Sequence, residues 1–334
     1  MKISASIYSQ KRKTLQETVQ QLHDHGIDLF HVDCNDDIEV FQDIAAIRKL
    51  SNKPIDLHII SANPEKFYDL LRAHPVEYLT FQHENLTEPI NIPIDISGKK
   101  GLAFTSDTPI SVFSEQQDQF DFVLIMATTP GQSGGQFNKS NFEKVRAFRK
   151  QFPNKKIHVD GGVNAEISFI LRNMGVYASV SGSYLFKSDY LGAAMLNLKG
   201  QNFDSQFTVS DIMIAAEECP ILGANSDLQA VLQGLDQYKM GFVMIADQQG
   251  HLKGIISNAD LRKGLMRNIQ NLNNIAVESL INTDPVKVDA ASSVKEMLLQ
   301  IKAQKIPINY LPVTDKNNRI AGAITFFNLI KGEL

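Results

Sequence analysis

His31 and Asp33 lie two residues apart in Leu29-Phe30-His31-Val32-Asp33-Cys34, and Asp56 and His58 repeat that spacing in Ile55-Asp56-Leu57-His58-Ile59. Both runs read as β-strands, in which residues i and i+2 share a face. Asp160 ends another apolar run and is followed by Gly161 and Gly162. Burying several ionisable groups together is costly unless they are paired or bind a metal. Any one of these residues alone fits a hydrogen-bonded polar layer; their convergence on one site favours a metal. His31, Asp33, His58 and Asp160 offer two imidazoles, two carboxylates and no thiolate. That donor set suits Zn, Fe, Mn or Co.

Glycines cluster after three later runs, as Gly131-Gln132-Ser133-Gly134-Gly135, Gly161-Gly162 and Gly182-Ser183. Lacking a Cβ, such positions let backbone N–H groups approach an anion closely. Tight turns need glycine as well. Three clusters on neighbouring loops favour a phosphate site over turns alone.

The elements that must position these groups follow from the apolar pattern. Strands are expected at 2–8, 29–34, 55–60, 77–82, 101–105, 121–127, 156–160 and 177–182, largely apolar and rich in Ile, Val and Phe as buried parallel strands are. Helices are expected at 14–25, 39–50, 64–74, 139–151, 164–174 and 188–198, with Asn63-Pro64 and Asn164-Ala165-Glu166 reading as helix starts. Alternating strands and helices in about 200 residues indicate an α/β fold, a compact TIM (β/α)8 barrel. The strand C-terminal ends form the mouth of such a barrel, where His31, Asp33, His58 and Asp160 fall. Loops after its seventh and eighth strands often hold phosphate. Pro89 and Pro93 argue against a full helix between strands four and five.

At 334 residues the chain exceeds what one core usually organises. Hydrophobic residues at 43% and charged residues at 21% fit a soluble globular protein. A net charge of −4 without a basic block argues against nucleic acid or an anionic membrane as the main partner. Two distant cysteines, Cys34 and Cys219, argue against a disulfide framework and fit a reducing cytoplasm. No run resembles a signal peptide or a membrane span.

From residue 208 the chain repeats itself. Val209-Ser210-Asp211-Ile212-Met213 is echoed by Val277-Glu278-Ser279-Leu280-Ile281, and Gly254-Ile255-Ile256-Ser257 by Gly322-Ala323-Ile324-Thr325, both at an offset of 68. Ile245-Ala246-Asp247 and Val313-Thr314-Asp315 keep the same offset. A constant offset implies two copies of one small α/β unit. The expected organisation is a barrel at 1–200, a linker at 201–207, and repeats at 208–268 and 269–334.

Residues 2–198 resemble the ribulose-phosphate 3-epimerase family. The resemblance rests on Ala5-Ser6-Ile7-Tyr8, His31-Val32-Asp33, Asp56-Leu57-His58, Met126 through Gly131 and on to Gly134-Gly135-Gln136, Val159-Asp160-Gly161-Gly162-Val163, and Gly182-Ser183. It implies one divalent metal per barrel, held by His31, Asp33, His58 and Asp160, with Asp33 and Asp160 also the acid/base pair. It implies substrate contacts from Ser6, His58, Met126, Gly131, Gly134, Gly135, Gly161, Gly162, Gly182 and Ser183. The activity implied is inversion at C3 of a ketose phosphate through an enediolate, D-ribulose 5-phosphate to D-xylulose 5-phosphate or a close analogue. Asn35 and Ile60 stand where the family has methionines, Gln82 replaces a histidine, and the phosphate loop is one residue longer. These departures leave two alternatives open: epimerisation of another sugar phosphate for glycan or nucleotide-sugar synthesis, or a non-catalytic sugar-phosphate sensor.

Residues 208–334 resemble a tandem CBS domain pair, most like the pair appended to arabinose 5-phosphate isomerases. The resemblance implies a nucleotide or nucleotide-sugar effector contacted by Ser257 and Asp260, with Thr325 as the counterpart in the second copy, where Asn328 replaces the aspartate. Ser257 and Asp260 also read as a helix capping box, and the two roles are compatible. A homo-oligomer is expected. Cys34 is expected to be a packed residue, His158 a supporting partner of Asp160, and Asp36-Asp37 an exposed loop or helix start. His23, His25 and His74 are expected on solvated helix faces.

Overall fold

The computed structural model describes residues 1–132, 134–200, 204–270 and 275–327. Ser133 of the glycine loop, linker residues 201–203 and Asn328 lie outside the described residues. The chain forms two compact units, the second spanning Asp204–Phe327.

In the first unit eight parallel strands close into a barrel in chain order. They are β1 (Lys2–Ser6), β2 (Leu29–Cys34), β3 (Ile55–Ile59), β4 (Tyr78–Gln82), β5 (Lys99–Thr105), β6 (Phe122–Met126), β7 (Lys156–Asp160) and β8 (Ala178–Ser181). Parallel pairing of β1 with both β2 and β8 completes the ring. Their side chains are buried on both faces, which is why the runs are apolar rather than alternating. The register sets His31 beside Asp56, Asp33 beside His58, and Met126 beside Asp160.

The helices are α1 (Leu15–Asp24), α2 (Val40–Leu50), α3 (Tyr68–Ala73), α4 (Ser111–Ser114), α5 (Ser140–Gln151), α6 (Ala165–Asn173), α7 (Ser183–Lys187) and α8 (Leu191–Lys199). Thr14 and Glu17 start α1 with a reciprocal capping box. Asn164 caps α6 by accepting a hydrogen bond from Ile167 N at 3.0 Å. At Asn63 the expected helix start is a 3-10 turn, Pro64–Phe67, without a side-chain cap. Between β4 and β5 the described residues hold only the 3-10 turn His83–Asn85, as the prolines dictate. The helix expected over 188–198 is α8, which begins only at Leu191 because Ser188 and Tyr190 adopt extended backbone, and the short α7 precedes it.

The second unit holds α9 (Val209–Ile212), β9 (Ile214–Ala215), β10 (Ile221–Gly223), α10 (Leu228–Tyr238), β11 (Phe242–Ala246), β12 (Leu252–Ser257), α11 (Asn258–Arg267), β13 (Val288–Asp289), α12 (Val294–Lys302), β14 (Tyr310–Thr314) and β15 (Ile320–Thr325). The hairpin β11–β12 recurs as β14–β15 with its strand ends displaced by 68 positions. The repeats exchange a strand: β10, β11 and β12 form one sheet, while β9 leaves its own repeat to pair with β15 beside β14 and β13. Phe242, Met244, Ile255 and Ala323 share one core, so neither copy buries its apolar face alone. No helix among the described residues is long and apolar enough to cross a membrane.

Candidate active site and metal centre

Strands β2, β3 and β7 bring His31, Asp33, His58 and Asp160 together, with one ligand atom from each within 4.8 Å of the others. His31 Nε2 lies 3.2 Å from Asp33 Oδ1 and 3.7 Å from Asp160 Oδ2. His58 Nδ1 lies 3.5 Å from the same Asp33 oxygen, too long for a well-formed hydrogen bond. Both imidazoles are fully buried, whereas Asp33 and Asp160 are 15% and 18% exposed. The rings therefore form a floor, and the carboxylates reach the cavity above it.

The outer nitrogen of each ring has its own acceptor. His31 Nδ1 donates to Asp56 Oδ2 at 2.9 Å, and that oxygen also accepts from Ser4 Oγ at 3.1 Å. His58 Nε2 donates to Gln82 Oε1 at 2.8 Å. Nε2 of His31 and Nδ1 of His58 are then the nitrogens that face the carboxylates, and His58 Nδ1 is buried without a hydrogen-bond partner. Burial alone favours a neutral His31, yet Asp33 and Asp56 raise its pKa well above the ordinary imidazole value. Burial likewise pushes Asp33 up, but His31 and His58 outweigh it and hold that carboxyl well below the carboxylate range. The centre thus demands positive charge, and its nitrogen and oxygen donors fit a divalent cation.

Asp160 goes the other way. Burial, reinforced by the charge of Asp33, pushes it up to about 6. Two carboxyls on separate strands with pKa values driven apart can hold one proton between them, as two-sided proton transfer requires.

A cavity of about 470 Å³ opens above this floor. Ser6, Asp33 and Asp160 line it, as do Gly131, Gly134, Gly135, Gly161, Gly162, Gly182 and Ser183. His31, His58 and Met126 are not on its wall but are buried, Met126 aligned with Asp160. Two glycines are sterically required. Gly162 has φ +65°, and a Cβ there would meet Phe137 N at 2.4 Å. Gly131 has φ +70°, and its Cβ would strike the Asn35 side chain.

Some site residues escaped the sequence reading. Asp56 was visible only as the partner of His58 at i+2; its bond to His31 depends on the β2–β3 register. Tyr8, Lys11, Gln42 and Asp43 also line the cavity, and Tyr8 donates to Asp43 Oδ2 at 2.6 Å. Their separation along the chain carries no signal. His158 corrects the expectation that it supports Asp160. It stacks on Phe122 at 4.1 Å and on Tyr177 at 5.5 Å, and neither ring nitrogen has a hydrogen-bond partner. Burial lowers it to about 4, so it packs as a neutral aromatic ring. Cys34 is fully buried, as expected. Asp36 and Asp37 are exposed, while His23 and His74 are only half-exposed.

In the second unit Ser257 and Asp260 form the capping box of α11. The Ser257 hydroxyl donates to Asp260 Oδ2 at 2.6 Å and accepts from Asp260 N at 3.2 Å. Thr325 ends β15 at the matching position of the second copy.

Comparison with known proteins identifies families for both parts of the chain. The model of the ribulose-phosphate 3 epimerase family matches residues 2–186, and that of the CBS domain matches residues 277–333. The ribulose-phosphate 3-epimerase of Methanocaldococcus jannaschii is 29% identical over 212 residues, covering 60% of this chain and 90% of that protein. The Bacillus subtilis ribulose-phosphate 3-epimerase is 25% identical, covering 60% and 99% respectively. Among solved structures, a CBS domain-containing protein of Bacillus anthracis is 19% identical with a TM-score of 0.34, covering 38% of this chain and 92% of that one. The CBS-pair protein CBSX2 of Arabidopsis thaliana is 20% identical with a TM-score of 0.32, covering 38% and 94%. With its family match spanning more than half of its residues, the chain belongs to the ribulose-phosphate 3-epimerase family, an isomerase whose barrel is followed by a CBS domain pair.

Proposed function

We propose that the barrel inverts C3 of a ketose phosphate, D-ribulose 5-phosphate or a close analogue, in a metal-dependent reaction. The observation that carries this reading is the placement of Asp33 and Asp160, on separate strands, beside one pair of buried histidines. When bound by His31, Asp33, His58 and Asp160, a divalent cation supplies Lewis-acid stabilisation of negative charge developing on the substrate oxygens. The chain's own groups move the protons. One aspartate, ionised, removes the C3 proton, and the other, as the carboxylic acid, returns a proton to the opposite face. Asp33 is the aspartate held ionised, and Asp160 the one that more readily carries the proton, in the arrangement described. Ser6 and the glycine loops, Gly131 to Gly135, Gly161-Gly162 and Gly182-Ser183, would hold the hydroxyls and phosphate.

A second reading keeps the chemistry and changes the sugar. Asn35, Gln42 and Asp43 make one side of the cavity polar, which favours another hydroxyl-rich ketose phosphate. The CBS pair, repeats 208–268 and 269–334 after the linker 201–207, would bind a nucleotide or nucleotide-sugar and tune the barrel. A cytoplasmic homo-oligomer completes this reading. The test is C3 proton exchange in deuterated water across a panel of ketopentose and ketohexose phosphates, with metal analysis of the same samples. Deuterium entering C3 of one substrate supports it; no exchange by the metal-loaded protein on any of them refutes the catalytic reading and leaves a sensor.

A further inference from the structure

We propose that Glu84 is a positioning residue for the metal centre: it orients the Gln82 amide, which in turn decides which nitrogen of His58 faces Asp33. The inference rests on the reading that these residues hold a divalent cation, but the hydrogen-bond relay behind it can be tested without one.

The relay is a chain of donors and acceptors with one consistent solution. Glu84 Oε1 accepts from Thr105 N at 2.8 Å, from Thr105 Oγ1 at 3.0 Å and from Thr108 Oγ1. A backbone N–H can only donate, so that oxygen must accept. Burial pushes Glu84 up, but these hydrogen bonds together with that from Gln82 prevail, and its pKa lies below the ordinary value. As a carboxylate it accepts at Oε2 as well, and the group it meets there is the Gln82 NH2. That orientation turns Gln82 Oε1 toward His58 Nε2 at 2.8 Å. A carbonyl oxygen accepts only, so Nε2 carries the imidazole proton and Nδ1, 3.5 Å from Asp33 Oδ1, keeps its lone pair. His58 and Gln82 are both essentially buried, which leaves water no part in the choice.

The fold explains why the relay exists. The chain leaves β4 through the 3-10 turn His83–Asn85 instead of a helix, which brings Glu84 back beside Gln82 and against the end of β5. Lys144 of α5 donates to Thr105 O at 2.7 Å and to Thr108 O at 2.5 Å, fixing the loop that grips Glu84. The two histidines are thus held by different devices. Asp56 bonds His31 directly, whereas the charge of Glu84 reaches His58 only through a neutral amide.

Glu84→Gln is the discriminating substitution. Thr105 N–H still demands an acceptor, so the new amide presents its NH2 to Gln82. Gln82 must then offer its oxygen there and its NH2 to His58, which moves the His58 proton to Nδ1 and blocks the nitrogen that faces the centre. E84Q should weaken Mn²⁺ or Zn²⁺ binding by about 10- to 100-fold, the usual effect of losing a group that orients a metal ligand. The double variant Q82E/E84Q restores an acceptor for both His58 and the new amide, and it should recover tight binding. Metal affinity is read by chelator competition, and the His58 tautomer by ¹⁵N shifts of histidine-labelled, metal-free protein. A proton on Nε2 in the wild type and on Nδ1 in E84Q supports the relay even if neither protein binds metal, an outcome that sinks the metal reading alone. Should E84Q fail to fold, Q82M removes the link while keeping Glu84, and it must show the same loss of metal affinity. Wild-type affinity and an unchanged ¹⁵N pattern in E84Q, or in Q82M if E84Q is unfolded, overturn the proposal.

Discussion

His31 and His58 turn opposite ring nitrogens toward one oxygen of Asp33, Nε2 of the first at 3.2 Å and Nδ1 of the second at 3.5 Å. The difference comes from behind the rings, where Asp56 accepts a hydrogen bond from Nδ1 of His31 and Gln82 Oε1 accepts one from Nε2 of His58. Removing either ring leaves an incomplete donor set. His31→Ala and His58→Ala should each lower the divalent metal retained after purification, and Asp56→Ala should weaken it by a smaller factor, about 10- to 100-fold. Elemental analysis of the wild type and the three variants checks this. A metal-free wild type whose activity ignores chelators would sink it.

Asp33 and Asp160 face the cavity from different strands, and the proposed reaction needs both. Asp33→Asn and Asp160→Asn should each abolish epimerisation, because an amide neither takes nor returns the C3 proton. Asn is also a poorer ligand, so metal content must be measured on the same samples. Wash-in of solvent deuterium separates the roles: a variant that retains only one of the two proton transfers exchanges C3 without inverting it. Near wild-type turnover in both variants contradicts the assignment.

The i and i+2 spacing on β2 and β3 singles out His31, Asp33 and His58 in the sequence, because a strand shows one face at that period, and the structure brings these three together with Asp160. The repeat at 68 residues similarly made the duplicated unit legible, and β11–β12 and β14–β15 match it strand for strand. What stayed hidden depends on register and on chain paths between elements. His31 meets Asp56 only because β2 and β3 pair as they do. Glu84 reaches Gln82 only because the chain turns back after β4 instead of forming a helix. His158 misled because sharing a face with Asp160 does not place it at the same depth; it lies among Phe122, Tyr78 and Tyr177.

Glu84 also gives a stability prediction with a definite sign. Its folded pKa is depressed, so its contribution is present above the ordinary carboxylate range and lost as pH falls through the folded value. The neutral amide of the Glu84→Gln variant cannot supply that contribution at any pH. The difference in melting temperature between wild type and E84Q should therefore be largest near neutrality and close on acidification. A gap that is constant with pH assigns the effect to packing.

Gly162 tests the phosphate loops. Its φ of +65° and the 2.4 Å approach of a Cβ to Phe137 N make Gly162→Ala strained in conformation and in contact. The variant should lose roughly 1 kcal/mol or more of stability. If the loop also holds the substrate's phosphate, KM should rise several-fold in protein that still melts cooperatively. Lower stability with unchanged KM would leave the glycine with a purely structural role.

Ser257 and Asp260 carry two roles that one pair of experiments separates. Their reciprocal hydrogen bonds cap α11, and loss of such a cap costs about 1 kcal/mol, a few degrees in melting temperature. Ser257→Ala should therefore melt lower than wild type with no ligand present. A nucleotide at the same helix start would have to compete with Ser257 for Asp260, or bond the far side of both. Preferential binding to the native state raises stability, so adenine nucleotides, CMP and CMP-sugars should be screened for a melting shift in the full chain. An effector that also changes epimerase turnover must bind two activity states unequally. The regulatory reading expects at least one nucleotide to raise the melting temperature of the wild type, to alter its turnover, and to do neither in Ser257→Ala or Asp260→Ala. If the whole panel leaves the wild type unmoved while Ser257→Ala still melts lower, capping is the full account of this pair.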